Sequence, residues 1–351
     1  MTIKEIAMKA GVSIGTVDRV LHKRGRVSLE TIKKVNNIIK KYGYKPNIFA
    51  SNLSLSKNFQ FGILMPYVHQ DTKYWSIPEK GIMAAYKELE RYNVRIKFFL
   101  FDKYNPDSFI KACKKILVSE MEGLLIAPVL SQHARKFMKE SLSNKIPCVL
   151  FDSDLPQTDY LAYIGQDSYK SGFVAAKLMS LLIQNHKTIA VIRVIGGDYH
   201  INERARGFTE YFRLHKDCQC IVYDIEESDN YAAFKSLGDH ITSENKEKLR
   251  GIFVTNDSVH YMARYICEEI KDQKIHLIGY DLIENNIDYL KKDIINFLIS
   301  QHSFEQGYNG IHTLFNAVVL KENVKKTIMM PIDIIVKENL EDYQNRYDLK
   351  V

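Results

Sequence analysis

Across the first 45 residues, apolar positions recur every three or four residues and polar side chains fill the gaps. Ile3, Ile6, Ala7 and Ala10 make one stripe, the spacing of a helix with a single buried face. Thr2 and Glu5 stand three apart at its start, the pattern of a capping box. Gly11 ends the stripe, since glycine accepts the left-handed backbone of a helix C-cap. Ser13 then caps a second helix, in which Val17 and Val20 face one way and Gly15, Asp18 and Arg19 the other, with Ile14 and Leu21 between. Two short helices joined by a tight glycine turn predict a helix-turn-helix. A third helix runs from the N-cap Ser28 through Ile32, Val35, Ile38, Ile39 and Tyr42 to Gly43. Together the three close a small core near the lower size limit of independent stability.

From Phe59 the period changes. Short apolar runs at 61–65, 95–100, 123–127, 148–151, 189–192, 220–223, 251–254 and 276–279 alternate with amphipathic segments. Strands alternating with helices imply parallel sheets with helical crossovers. The runs fall into two series, which predicts two doubly wound lobes facing each other across a cleft at the strand carboxyl ends. Between the two patterns, Pro46 holds residue 45 extended, and Asn47 to Ser56 offers one helix too short to be stable alone in water. The expected fold is therefore a small all-α helix-turn-helix headpiece (1–45), a hinge helix (46–57) and an α/β two-lobed domain (58–351), each lobe a doubly wound parallel sheet.

Charge sharpens this division. Residues 1–57 carry 12 Lys and Arg against 3 Asp and Glu, whereas the remainder carries 37 against 39. A strongly basic module on a near-neutral body is the footprint of a polyanion-binding unit. The outward set of the second helix suits DNA: Arg19 can donate in two bonds to guanine, and Asp18 can accept from cytosine. Gly15 leaves room for close approach, and Thr16, Lys23, Arg24 and Arg26 can hold phosphates. A solvated helical face is the alternative for any one of these residues taken alone.

The order and spacing of Ile3-Lys-Glu-Ile-Ala7, Ala10-Gly-Val-Ser13, Thr16-Val17, Arg19-Val20, Val27-Ser28, Tyr44-Lys-Pro-Asn47 and Asn47-x-x-Ala50-x-x-Leu53 resemble the lactose-repressor (LacI) family of bacterial regulators. Asp18 departs from that pattern, which usually carries a small hydroxyl residue there. Ile14-Gly15 occupies the pair that often reads bases, so the operator should differ from the best-known ones. The resemblance implies DNA contacts from Ser13, Ile14, Gly15, Thr16, Asp18, Arg19 and Arg24. It adds Asn47, Ala50 and Leu53 from a hinge that folds against its dimer mate on DNA, with Leu53 wedged into the minor groove.

The body is similar to the family's core, itself like periplasmic sugar-binding proteins. Matching pieces include Gly62-Ile-Leu-Met-Pro66, Ile164-Gly-Gln-Asp167, Arg204-x-x-Gly207-Phe208, Asn256-Asp257 and Ile278-Gly-Tyr-Asp281. Lobes in that family exchange chain, so lobe 1 is expected at about 58–163 and 297–327, and lobe 2 at about 164–296 and 328–351. Tyr74 and Trp75 could stack on a sugar ring or form an apolar lid. The resemblance implies that Asp152, Arg204, Asn256, Asp281 and Gln301 hydrogen-bond its hydroxyls, which both donate and accept. Arg206 rivals Arg204 for that role, and post-strand Asp and Asn residues also serve as caps and turns.

Other classes find little support. No Walker A sequence, HExxH or nucleophile elbow is present, and the Gly196-Gly197 turn lacks the rest of a phosphate loop. The five cysteines, Cys113, Cys148, Cys218, Cys220 and Cys267, are odd in number and scattered, as expected of idle thiols in a reducing cytosol. No cofactor, metal or catalysis is expected. The start shows no signal peptide, and no apolar run reaches membrane-spanning length. The expectation is a cytoplasmic, homodimeric regulator, acting as a repressor on a near-palindromic double-stranded DNA operator under control of a sugar. A purine or sugar-phosphate effector, and a solute-binding protein without a DNA role, are the competing readings.

Overall fold

The computed structural model describes residues 3–21, 25, 27–42, 58–183, 187–194, 198–215, 218–226, 230–245, 248–270 and 274–346. Thr2, Arg24, Gly43, the Gly196-Gly197 turn and the hinge residues Asn47, Ala50 and Leu53 lie outside them. The chain divides into two compact units, 1–57 and 58–351.

In the first unit, α1 (Ile3–Ala10), α2 (Ile14–Leu21) and α3 (Leu29–Tyr42) enclose Ile6, Ala7, Ala10, Val17, Val20 and Val35. These are the residues the helical period assigns to the buried face. Gly11 has a φ of +65°, so the turn after α1 uses the backbone region that glycine reaches without strain. The next two helices begin alike. The Oγ of Ser13 accepts the Thr16 backbone N–H at 3.1 Å, and the Oγ of Ser28 accepts that of Thr31 at 3.2 Å, each satisfying a donor that a helix start leaves free.

The second unit contains two six-stranded sheets. One holds β1 (Phe59–Pro66), β2 (Val94–Phe101), β3 (Gly123–Ile126), β4 (Cys148–Phe151), β5 (Ala162–Gly165) and β11 (Thr327–Met329), in the order β11-β5-β4-β3-β1-β2. The other holds β6 (Thr188–Val194), β7 (Gln219–Ile225), β8 (Leu249–Val254), β9 (His276–Tyr280), β10 (Phe297–Ser300) and β12 (Asp333–Ile335), in the order β12-β10-β9-β8-β6-β7. All pairings are parallel except β10 with β12. The central strands are buried on both faces, as helix-covered parallel sheets require. In each sheet the first strand lies between the second and third, so the winding reverses there, the place where such sheets bind ligands.

The chain crosses between the lobes three times, and the positions differ by a few residues from the sequence-based expectation. β5 keeps residues up to Gly165 in the first lobe, and β10 stays in the second sheet, so the return follows Ser300 rather than 297. The last crossing follows β11, which ends at Met329. β5, β10, β11 and β12 are three or four residues long. Runs this short show little periodicity; β3 and β4, no longer than β5 and β10, stand out in sequence because they are continuously apolar and fully buried.

Two helix pairs pack backbone against backbone beside the cleft. In the first lobe, α4 (Ser76–Leu89) meets α12 (Ser303–Leu314) at Gly81 and Gly307; in the second, α7 (Ser168–Leu182) meets α8 (Tyr199–His215) at Gly172 and Gly207. A methyl group at Gly172 would overlap the Arg204 carbonyl, and one at Gly207 would overlap that of Tyr169. Because backbone is what obstructs the methyl, a rotamer change gives no relief. Gly172→Ala is therefore expected to cost about 1–3 kcal/mol of unfolding free energy, the usual penalty of overpacking. Urea denaturation followed by circular dichroism checks this, and an unmoved midpoint would mean that the helices part freely.

Candidate functional site

The headpiece presents the polar set read from its sequence. Ser13, Ile14, Gly15, Asp18 and Arg19 are exposed and Thr16 is half-buried, while Val17 and Val20 face the core. Ile14 leans further outward than its intermediate helical position suggests, at 52% exposed.

In the second unit, the seven residues singled out for the cleft converge. Tyr74, Trp75, Asp152, Arg204, Asn256, Asp281 and Gln301 line one cavity, joined by Asp71, Lys103, His200, Ile201 and Asp257. Every one follows a strand carboxyl end or sits on the first turns of the next helix. Asp71, Tyr74 and Trp75 follow β1, Lys103 follows β2, and Asp152 follows β4. His200 and Arg204 lie on α8 after β6, with Asn256 and Asp257 after β8, Asp281 after β9 and Gln301 after β10. Asp152 and Asp281 occupy equivalent places in the two lobes and share a φ near +68°. Asp tolerates this left-handed conformation better than most residues, and non-glycine outliers of this kind gather at binding sites.

A network of hydrogen bonds orders these groups. Tyr74 donates its hydroxyl to Asp152 at 2.6 Å and lies 2.9 Å from the Ser303 Oγ. Gln301 donates to Asp281 at 2.6 Å and accepts from Arg204, whose Nη1 donates to the Thr255 carbonyl at 2.9 Å. The Arg204 guanidinium lies over the Tyr280 ring, 3.9 Å from its centre. Arg204 is 1% exposed, whereas its rival Arg206 is exposed and pairs with Glu203. That resolves which of the two faces the cleft. Trp75 donates Nε1 to Asp71 and stands edge-on to Tyr74 and Phe151, so the two aromatics form a fixed wall.

Sequence reasoning missed Asp71, Lys103, Asp198, His200 and Asp257. Lys103 bridges the lobes, with Nζ 3.0 Å from Asp71 in its own lobe and 3.5 Å from Asp198 in the other. Thr72 donates to Asp257 across the same gap at 3.1 Å. Asp257 stood in a motif beside Asn256, and Asp71 and Lys103 lie in the loops after β1 and β2, so position after a strand was the available signal. Nothing in the sequence announced that a lysine would be buried against two aspartates.

Burial shifts the titrations in the site. Desolvation raises the Asp152 carboxyl and pushes Asp198 and Asp281 up to about 7. It also raises Asp257 well above the usual range, helped by Asp71 and Asp281. Desolvation alone would lower Lys103, but Asp71 and Asp198, with Tyr104 and Asp257 beyond them, more than offset it and hold the ammonium raised. Burial, then Arg204 and Lys103, drive His200 well below its usual value, so its ring is neutral. Its Nδ1 lies 4.0 Å from Asp152, beyond hydrogen-bond reach. That atom, Asp198 Oδ1 and Arg204 Nε are buried without a protein partner. Unsatisfied buried polar atoms are costly; two of these three belong to residues lining the cavity, His200 and Arg204, and the third to Asp198, which faces Lys103. Among the described residues, no group of three or more His, Cys, Asp or Glu side chains is arranged to hold a metal ion.

Known proteins share this architecture. The model of the lacI family of bacterial regulatory proteins matches residues 2–47, and that of a periplasmic binding protein domain matches residues 61–322. The ribose operon repressor of Lactococcus lactis is 25% identical over 348 residues, 97% of this chain and 98% of the relative. The transcriptional repressor PurR of Edwardsiella ictaluri is 25% identical over 81% of each chain. Among solved structures, a Bacteroides fragilis protein provisionally described as a LacI transcriptional regulator superposes with a TM-score of 0.76 at 29% identity. It covers 82% of this chain and all of its own. A glucose-galactose binding protein from Geobacillus stearothermophilus shares the fold, with a TM-score of 0.73 at 23% identity over 81% of this chain and 99% of its own. With its start matched by the one model and most of its body by the other, the chain belongs to the lacI family of bacterial regulatory proteins, a DNA-binding headpiece carried on a sensor body of the periplasmic-binding-protein type.

Proposed function

We propose that the protein is a repressor whose affinity for its operator is set by a sugar bound between the two lobes. One observation carries this reading: eleven polar or aromatic residues from both lobes surround a single buried cavity. They alternate donors with acceptors and keep two aromatic rings on one wall, the chemistry that a pyranose or furanose demands. The ribose and sucrose operon repressors among its relatives, and the sugar-binding proteins that share its fold, support the same class. The cavity is about 20 Å³, room for about one water, so entry of a sugar requires the lobes to part and close again. Ligand binding and lobe angle are then one event, and the coupling to DNA is its differential free energy.

The remaining assignments follow from that role. The chain acts in the cytoplasm as a homodimer on a near-palindromic operator, because one headpiece offers too few contacts for tight, specific binding. It catalyses no reaction. Ser13, Ile14, Gly15, Thr16, Asp18, Arg19, Arg24, Asn47, Ala50 and Leu53 meet DNA. Tyr74, Trp75, Asp152, Arg204, Asn256, Asp281 and Gln301 meet the sugar, with Asp71, Lys103, His200 and Asp257 added to the binding set. Among the described residues, no helix is long and apolar enough to cross a membrane.

Thermal unfolding against a panel of pentoses, hexoses, their phosphates and nucleobases tests the ligand class. A ligand at a hundred times its dissociation constant adds about 2.7 kcal/mol, and a neutral sugar should raise the melting temperature while Asp281→Ala abolishes the rise. A response to purines alone would keep the regulator and replace the ligand. In the headpiece, Arg19→Ala should relax discrimination at one operator position by about 1–3 kcal/mol; equal weakening on every sequence would remove its base-reading role.

The titration of Asp198 gives a further check. Its raised pKa means that the folded protein holds a proton the unfolded chain has released, so its stabilising share is full at low pH and is lost as pH rises through about 7. His200, lowered by burial, works in the opposite sense below its ordinary value. Comparison with Asp198→Asn isolates the first effect. The stability of the wild type relative to this variant should fall between pH 5.5 and 8, as read by urea midpoints. A constant difference would show that Asp198 is ionised throughout.

A further inference from the structure

The amino ends of the second lobe's strands, the edge away from the cleft, carry a second concavity of about 230 Å³. Lys187, Arg250, Lys274 and His276 line it together with Leu182 and Ile183, and no acidic residue lines it among the described residues. The chain order explains the convergence. Lys187 immediately precedes β6, Arg250 is the second residue of β8, Lys274 leads into β9 and His276 is its first residue; the three strands neighbour one another. Thr188 pairs with Leu249 but Ile189 pairs with Gly251, which makes Arg250 the extra residue of a β-bulge. Bulges re-aim a side chain and recur beside binding sites.

What sets this cluster apart is that its cations share one hollow without a carboxylate among them. Arg193, Arg206, Arg213, Lys235, Arg264 and Lys337 of the same lobe each pair with a carboxylate. Lys187, Arg250 and Lys274 pair with none among the described residues, and the Arg250 side chain donates only to the carbonyl of Leu249, at 2.8 Å. The Nδ1 of His276 is buried without a partner. Three permanent cations around one hollow repel one another, and the body as a whole has a slight acidic excess, so general basicity does not explain the cluster. A bound anion of more than unit charge would offset that repulsion, and a guanidinium between two ammonium groups matches a phosphate.

We propose that this pole of the second lobe binds a small phosphate-bearing anion, giving the regulator an input separate from the cleft. The site lies at the opposite ends of the strands from the sugar residues and stands on different observations. A hollow of this size holds inorganic phosphate or a short phosphate ester.

Phosphorus-31 NMR titrations of inorganic phosphate, pyrophosphate and glycerol 3-phosphate into the full-length protein, at an ionic strength held constant with chloride, test the assignment. Saturable binding is expected, weakened at least tenfold in Lys187→Gln/Arg250→Gln with the circular dichroism melt and sugar response retained. Lys274→Gln, a single exposed substitution, should weaken it in the same direction should the double variant fold poorly. Tighter binding of glycerol 3-phosphate than of phosphate identifies an organic ester as the ligand, and the reverse order identifies the free ion. Binding that survives the substitutions would assign the anion to the basic headpiece instead and overturn the proposal, as would the absence of saturation above chloride.

Discussion

The Lys103 ammonium, set between Asp71 and Asp198, is the interaction around which the sensor closes. A buried lysine must be paired, because desolvating a lone ammonium costs several kcal/mol even after relaxation. Here the two partners come from opposite lobes, so the pairing is complete only when the lobes are together. The remaining carboxylates, Asp152, Asp257 and Asp281, exceed what Lys103 and Arg204 can neutralise, and burial moves them toward their protonated forms. The cleft therefore has spare acceptor capacity and no spare positive charge. That balance favours a neutral ligand rich in hydroxyl donors over an anionic one, and it matches the sugars better than the sugar phosphates.

Much of this arrangement was legible in the sequence because each level repeats a simple rule. The headpiece core follows from the helical period, and Ser13 and Ser28 cap their helices as their positions before apolar stripes suggest. The cleft residues follow from parallel strands, whose carboxyl ends must face the ligand. What could not be read were features that depend on distance in space. The pairing of Lys103 with Asp198 joins residues nearly a hundred apart, and no local pattern encodes it. Arg204 and Arg206 are chemically identical in sequence, and only the packing of α8 against α7 turns one inward. The short strands β10, β11 and β12 lack enough residues to declare a period.

Charge is divided along the chain as function requires. The headpiece concentrates its excess of lysine and arginine in a sixth of the length, where long-range attraction to phosphates speeds encounter and holds the protein near DNA of any sequence. The outward residues of α2, to which base reading is assigned under the proposed function, would then act from a starting point already close to the duplex. The sensor body, near neutral overall, adds little to that attraction.

Gln166 sits where the chain first leaves the first lobe, and its side-chain nitrogen donates to the carbonyls of both Ser300 and Pro331 at 2.7 Å. One amide thus fastens all three crossing strands at a single point. Rigid bodies pinned together at one place retain mainly a rotation about it, so whatever enters the cleft is translated into an angle. Under the proposed function, effectors of different chemistry that settle at the same angle would give the same signal, and those that stop short of it would act as antagonists. The cleft would then report chemical identity through the angle each molecule permits.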